Sequence, residues 1–220
     1  MRRKEDWTRE ELQRDYIETM TAVTLPVQVE IDGTTRIFNF TQAEAILKKA
    51  QLISLANCDC REKVQACDNP LDVCISLDKE AEIMISKGRG RLVSLKEAME
   101  ALRLSHAAGL VHISYTDKGE REPNIICSCC TCCCHSLAGL MRFNLPEAVV
   151  QSDYITQQDE EVCIHCGVCV NRCHFLARNM KNGNLNYDPA KCFGCGVCIS
   201  TCPVEAISMV TRSELKSQKD

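Results

Sequence analysis

The alternation of apolar and polar positions divides the chain into short elements. The first 22 residues mix charges with isolated apolar side chains and predict a charged helical lead-in. Residues 26–40, PVQVEIDGTTRIFNF, predict a β-hairpin whose tight turn is Asp32-Gly33. Thr41 and Glu44 have the spacing of a capping box. The helix they open carries Ile46, Ala50 and Ile53 at i, i+4 and i+7, and is expected to deliver the chain to Cys58 and Cys60. Ser94 and Glu97 form a second box; Leu95, Ala98, Met99, Leu102 and Ser105 line one face of that helix, and Gly109 supplies its stop. LVHISY reads as a strand, TDKGE as a turn and NIIC as the returning strand. Around Asn144 to Gln158, Pro146 and the polar run TQQDEE predict a linker, and TRSELKSQKD a polar tail.

Cysteine changes this picture. The chain has 220 residues and 18 of them are cysteine. Such density marks either a secreted disulfide scaffold or a metal protein. The start, MRRKEDWTREELQRDY, lacks the apolar segment of a signal peptide, and no hydrophobic stretch follows Arg2-Arg3 as a twin-arginine leader requires. No apolar run is long enough to span a membrane. These features favour a cytoplasmic protein whose thiols are held by metal. The net charge of −4, with 26 basic and 30 acidic side chains and no basic stripe, excludes an evident nucleic-acid surface. Aromatic residues make up 5%, so metal sites have room to supplement a thin core.

Two repeats close the chain, CIHCGVCVNRCH and CFGCGVCISTCP, each a C-x-x-C-x-x-C-x-x-x-C run. Over about residues 155–212 the chain resembles the bacterial-type 2[4Fe–4S] ferredoxin domain. A cubane cluster needs four thiolates converging from more than one direction. Three spaced by two residues wrap one side, and in this family the fourth comes from the other repeat. The resemblance therefore implies one [4Fe–4S] cluster on Cys163, Cys166, Cys169 and Cys202, and a second on Cys192, Cys195, Cys198 and Cys173. It also implies a small pseudo-symmetric α+β fold that passes single electrons. Gly167, Gly194 and Gly196 lie between ligands, where a missing Cβ lets backbone N–H groups approach sulfur. Asn182-Gly183 predicts a hairpin turn between the repeats. His174 replaces the proline that follows the fourth cysteine of the other repeat, and His165 sits inside the first loop; a titrating ring at either place could make a potential pH-dependent. Zinc would need neither the third cysteine of each run nor a shared fourth ligand.

Ten cysteines remain. Cys58, Cys60, Cys67 and Cys74 lie in CDCREKVQACDNPLDVC; Cys127, Cys129, Cys130, Cys132, Cys133 and Cys134 crowd into CSCCTCCCH. A helix precedes the first group and a strand the second, so the two groups are expected to meet in space. One or two further iron–sulfur clusters drawing on both groups are the leading reading; a structural cluster, zinc or a thiol–disulfide relay are the alternatives. The segments Cys58-Asp59-Cys60-Arg61 and Cys127 to Cys134, preceding a two-cluster ferredoxin domain, are similar to those of a group of ferredoxin-domain proteins of anaerobes. That resemblance implies no mechanism for the N-terminal part. Trp7, His106 and His112 read as packing or surface residues, and His135 as a better candidate ligand.

The resulting fold class is α+β. Residues 1–145 form a mixed helical and hairpin cysteine-rich domain, 146–158 a linker, 159–212 a ferredoxin-like two-cluster domain and 213–220 a tail. The function read from it is single-electron relay between a donor and a partner redox enzyme. No G-x-G-x-x-G or P-loop run is present, and KGRGRL is too short for one, so the redox partner proteins would hold flavin, nicotinamide and substrate. Two alternatives stand: an oxidoreductase with an open iron in the N-terminal domain, and a redox-sensing regulator in which helices and a hairpin build a winged-helix-like unit. Oligomeric state is not legible.

Overall fold

The computed structural model describes residues 3–32 and 35–217. In chain order its strands are β1 (Met20–Thr24), β2 (Gln28–Asp32), β3 (Thr35–Asn39), β4 (Ile53–Asn57), β5 (Asp72–Leu77), β6 (Gly90–Leu92), β7 (Val111–Asp117), β8 (Ile125–Cys129), β9 (Tyr154–Gln158), β10 (Arg178–Lys181), β11 (Asn184–Tyr187) and β12 (Ile207–Thr211). The α-helices are α1 (Arg9–Leu12), α2 (Thr41–Lys49), α3 (Asp59–Val64), α4 (Asp78–Ser86), α5 (Leu95–Ala107), α6 (His135–Arg142), α7 (Val168–Arg172) and α8 (Arg212–Ser217). The chain divides into two compact units: residues 1–23 with 42–150, and residues 24–41 with 151–220.

The first unit is built on a six-stranded sheet of order β1-β7-β8-β5-β4-β6. β7 pairs antiparallel with β8, β8 with β5, and β4 with both β5 and β6. Its core is aliphatic: Leu55, Val73, Ile75, Ile113 and Ile126 from the sheet, with Ala81 of α4 and Ala98, Met99 and Leu102 of α5. α5 forms as its sequence predicts. The Ser94 hydroxyl accepts from the Glu97 N–H and the Glu97 carboxylate accepts from the Ser94 N–H, closing the capping box. Gly109, at φ +83°, ends it.

Four expectations are corrected here. The lead-in is a short α1 continued by one π turn, Gln13–Ile17, before β1 begins. α2 stops at Lys49, and Ile53 lies on β4, which delivers the chain to Cys58. Residues 53–56 are all buried, so the strand shows no alternation and its apolar residues blend into the preceding helical period. Thr41 lies within the helix, and its N–H donates to Asn39 Oδ1 at 3.0 Å, so Asn39 does the capping. The β7–β8 hairpin sits inside the sheet, flanked by β1 and β5, and so lacks the free edge of a wing.

In the second unit β2 and β3 pair as the predicted hairpin, from Gln28↔Asn39 to Asp32↔Thr35. The predicted Asp32-Gly33 turn lies outside the described residues. β10 and β11 pair across Asn182-Gly183, both at positive φ (+52° and +80°), the geometry of a type I′ turn. Tyr154–Gln158, which the polar composition places in a linker, is a strand paired antiparallel with β12. α8 begins at a capping box of Thr211 and Glu214 inside the expected tail. Among the described residues no helix is long and apolar enough to cross a membrane.

Candidate metal centres

The second unit holds the eight cysteines of the two repeats. Cys163 follows a turn anchored on Asp159, whose carbonyl accepts from the Cys163 N–H at 3.0 Å. Gly167, at φ +76°, leads from the first two cysteines into α7, which carries Cys169. His165 is also left-handed, at φ +51°, and its Nδ1 accepts from the Leu185 N–H at 3.1 Å. That bond ties the first loop to β11, a structural use of a ring that the sequence offers as a titrating group. Cys166 is the exposed thiol of the eight.

A small cavity lies within this unit. Cys173, Cys192, Cys195 and Cys198 all line it, with Thr156, Ala177, Arg178, Tyr187 and Phe193. Donors converge on the sulfurs: the Ala177 N–H reaches Cys173 Sγ at 3.3 Å, and Thr156 Oγ1 lies 3.6 Å from Cys192 Sγ. Burial raises the Cys192 thiol, but hydrogen bonds from Thr156, Tyr187 and Gly194 outweigh it and hold the thiol below its usual range. Gly196 explains its own identity. It sits at φ +79°, and a Cβ there would lie 2.0 Å from the Val27 carbonyl oxygen. The Val27 N–H in turn donates to the Cys195 carbonyl at 3.3 Å, so the loop is clipped to the segment before β2.

Arg178 is the residue of this unit that sequence reasoning missed. It is 2% exposed. Its guanidinium donates to Gln158 Oε1 at 2.6 Å and Thr156 Oγ1 at 3.0 Å, and lies 4.3 Å over the Tyr187 ring. Its charge also acts on Cys198 and Cys169, one thiol from each repeat. A buried cation between two thiol sets offsets the negative charge that they would carry when ionised.

In the first unit the two N-terminal cysteine groups do meet. Cys67, Cys130, Cys132 and Cys133 have all four sulfurs within 4.8 Å of one another. The remaining six form a connected series: Cys58 beside Cys60, Cys60 beside Cys134, Cys134 beside Cys129, Cys129 beside Cys127, and Cys127 3.9 Å from Cys74. Arg61, 2% exposed, lies between the sets. It donates to the Pro70 carbonyl at 2.5 Å and to the Ser128 carbonyl, tying the loop of the first group to the run of the second. The hydrogen bond from Cys132, with the Arg61 charge, holds the Cys130 thiol down to about 5 against its burial.

His135 lies outside the four-sulfur group. Its ring stacks on Tyr16 with centroids 3.7 Å apart, and its Nδ1 lies 3.0 Å from Ser136 Oγ. Tyr115 Oη sits 3.7 Å from Cys134 Sγ and 3.9 Å from Cys129 Sγ, a neighbour of the thiols that no motif announces. Trp7, His106 and His112 are all buried, as packing residues are.

Comparison with known families matches two segments to a 4Fe-4S binding domain, residues 160–177 and residues 185–208. Among curated protein sequences none matches this chain. The two matches cover one cysteine-rich repeat each, and the C-terminal region is a ferredoxin-like domain with motifs for two [4Fe–4S] clusters.

Proposed function

From a C-terminal region that carries two 4Fe-4S binding domains, we propose that the chain relays single electrons between a donor protein and a partner redox enzyme. Cys163, Cys166, Cys169 and Cys202 hold one cluster; Cys173, Cys192, Cys195 and Cys198 hold the other. The observation that carries this reading is the cavity bounded by the last four thiols, three from one repeat and Cys173 from the other. That exchange of a ligand between repeats is what two adjacent clusters require. When bound, the two clusters supply one-electron chemistry. The chain's own part is to fix eight thiolates, to donate N–H and O–H groups to their sulfurs, and to offset their charge with Arg178. Exposed Cys166 gives the first cluster its edge toward solvent and toward a partner.

In the first unit, a further iron–sulfur cluster draws its ligands from the series Cys58, Cys60, Cys74, Cys127, Cys129 and Cys134. Their continuity supports this, since a cubane needs thiolates from several directions.

The test is iron and acid-labile sulfide analysis of the anaerobically purified full chain beside Cys163→Ala and Cys192→Ala. Each variant should lose the iron of one C-terminal cluster and keep the rest. Unchanged iron in both would refute the ligand assignment.

A further inference from the structure

Six cysteines in CSCCTCCCH exceed the needs of one cluster, and the structure separates them into two sets. Cys130, Cys132 and Cys133 turn toward Cys67, while Cys127, Cys129 and Cys134 belong to the other series. The separation is made by a tight turn: the Cys134 N–H donates to the Cys130 carbonyl at 3.0 Å, folding the intervening thiols onto one side. Cys67 arrives from the loop after α3, which ends with Gln65 at φ +51°.

The spacing within the first set is specific. Cys67 Sγ lies 3.8 Å from Cys130 Sγ and 3.8 Å from Cys133 Sγ, and no pair among the four exceeds 4.8 Å. A tetrahedral ion with Zn–S bonds of about 2.3 Å places its sulfurs roughly 3.8 Å apart. A cubane spreads its four thiolates over four separate irons, so its ligands stand further apart. The eight C-terminal cysteines, whose segments match 4Fe-4S binding domains, form no such close quartet among the described residues. A disulfide would bring two sulfurs to about 2.05 Å. Cys67 is instead equidistant from two thiols, as a shared central ion would hold it.

The surroundings suit a closed, charged site. Asn69 Nδ2 donates to Cys67 Sγ at 3.3 Å, and the Trp7 indole N–H donates to the Cys133 carbonyl at 2.8 Å. Arg61 brings a buried positive charge to Cys130. Four thiolates around a divalent ion leave net negative charge, which these donors and that cation offset. Val64, Ala66, Leu110, Ala138 and Leu145 pack around the sulfurs and limit water access.

We infer that Cys67, Cys130, Cys132 and Cys133 bind a single zinc ion as a four-thiolate structural site. It closes the loop of the first cysteine group onto the run of the second. With all four positions filled by protein it has no place for substrate. The site goes beyond the electron relay and stands whether or not that relay is correct.

The test uses the full chain purified anaerobically from cells supplied with both iron and zinc. Zinc, iron and sulfide are counted separately, and the zinc K-edge X-ray absorption is recorded. The expected result is about one zinc per chain with four sulfur neighbours at about 2.3 Å. Cys67→Ser should lower zinc retention at least tenfold under a competing chelator, with iron content held. Cys74→Ser, outside the quartet, should keep the zinc. Absence of zinc from the unaltered protein, a single iron in its place, or oxygen or nitrogen neighbours at the zinc edge would overturn the inference. Loss of iron rather than zinc in Cys67→Ser would do the same. Because the absorption measurement uses the unaltered chain, a variant that fails to fold does not shelter the proposal. Failure of the electron relay would show instead in the C-terminal iron.

Discussion

The indole N–H of Trp7 donates to the carbonyl oxygen of Cys133 at 2.8 Å, across 126 residues of chain. Trp7 is 6% exposed, packs edge-on against Tyr16, and carries the Lys63 ammonium 4.0 Å over its ring. It therefore pins the backbone of a thiol-bearing turn to the start of the chain. Trp7→Phe keeps most of the apolar area but orphans that carbonyl, at a cost of about 1–2 kcal/mol. Zinc release to a chelator should be faster in this variant than in the unaltered chain, with iron unchanged. Equal release rates would show that the contact does not support the turn.

Arg178 should set the potentials of the C-terminal clusters. Its charge favours the reduced, more negative form of both thiol sets on which it acts. Arg178→Gln should move the midpoint potentials negative by on the order of 50 mV, the equivalent of about 1 kcal/mol for one electron. Protein-film voltammetry reads this directly. A positive shift, or none, would show that the guanidinium serves packing against Tyr187 alone.

Two glycines offer a controlled contrast. Gly183→Ala strains a left-handed position with open space around it, at a cost of about 1–2 kcal/mol, and should retain all iron. Gly196→Ala adds to the same strain a Cβ in the place of the Val27 carbonyl, which the loop cannot meet without moving Cys195. It should lose the iron of the cluster assigned to Cys173, Cys192, Cys195 and Cys198. Iron analysis of the two variants side by side separates backbone strain from loss of the loop.

His112 confers an acid sensitivity. It is fully buried beside Ser128 Oγ, and burial, helped by nearby His106, holds its ring down to about 3. An unfolded histidine titrates near 6.5, so between these values the unfolded state binds more protons and stability falls as pH falls. From pH 6.5 to 5.5 the loss attributable to His112 is about 1 kcal/mol. Urea unfolding of the unaltered chain and His112→Gln at both pH values should show a smaller pH-dependent loss in the variant. Equal losses would place the acid sensitivity elsewhere.

Local patterns were legible in the sequence and non-local ones were not. The α5 capping box and the Asn182-Gly183 turn are decided within a few residues, and both form as written. β9 escaped because TQQ is polar and its partner, β12, lies some fifty residues on; only the pairing makes it a strand. Ile53 fits the helical period of α2 because a strand buried throughout at 53–56 has no alternation to set it apart. The two N-terminal cysteine groups meet as expected, although a strand, β4, and not a helix leads into the first of them. Their partition is not legible in the sequence, since it depends on a turn of the backbone between Cys130 and Cys134. Arg61 and Arg178 belong to no motif in the sequence, and only burial distinguishes them from surface residues.

Two adjacent one-electron centres in the C-terminal unit would be seen in a coulometric titration followed by electron paramagnetic resonance on the anaerobic full chain. About two electrons should be taken up by that unit per chain, with spectra broadened by magnetic interaction between neighbouring reduced clusters. In Cys192→Ala that broadening should vanish, leaving the signal of one isolated cluster. An unaltered chain that takes up no electrons, or one whose reduced spectrum shows a single isolated centre, would contradict the assignment of two centres.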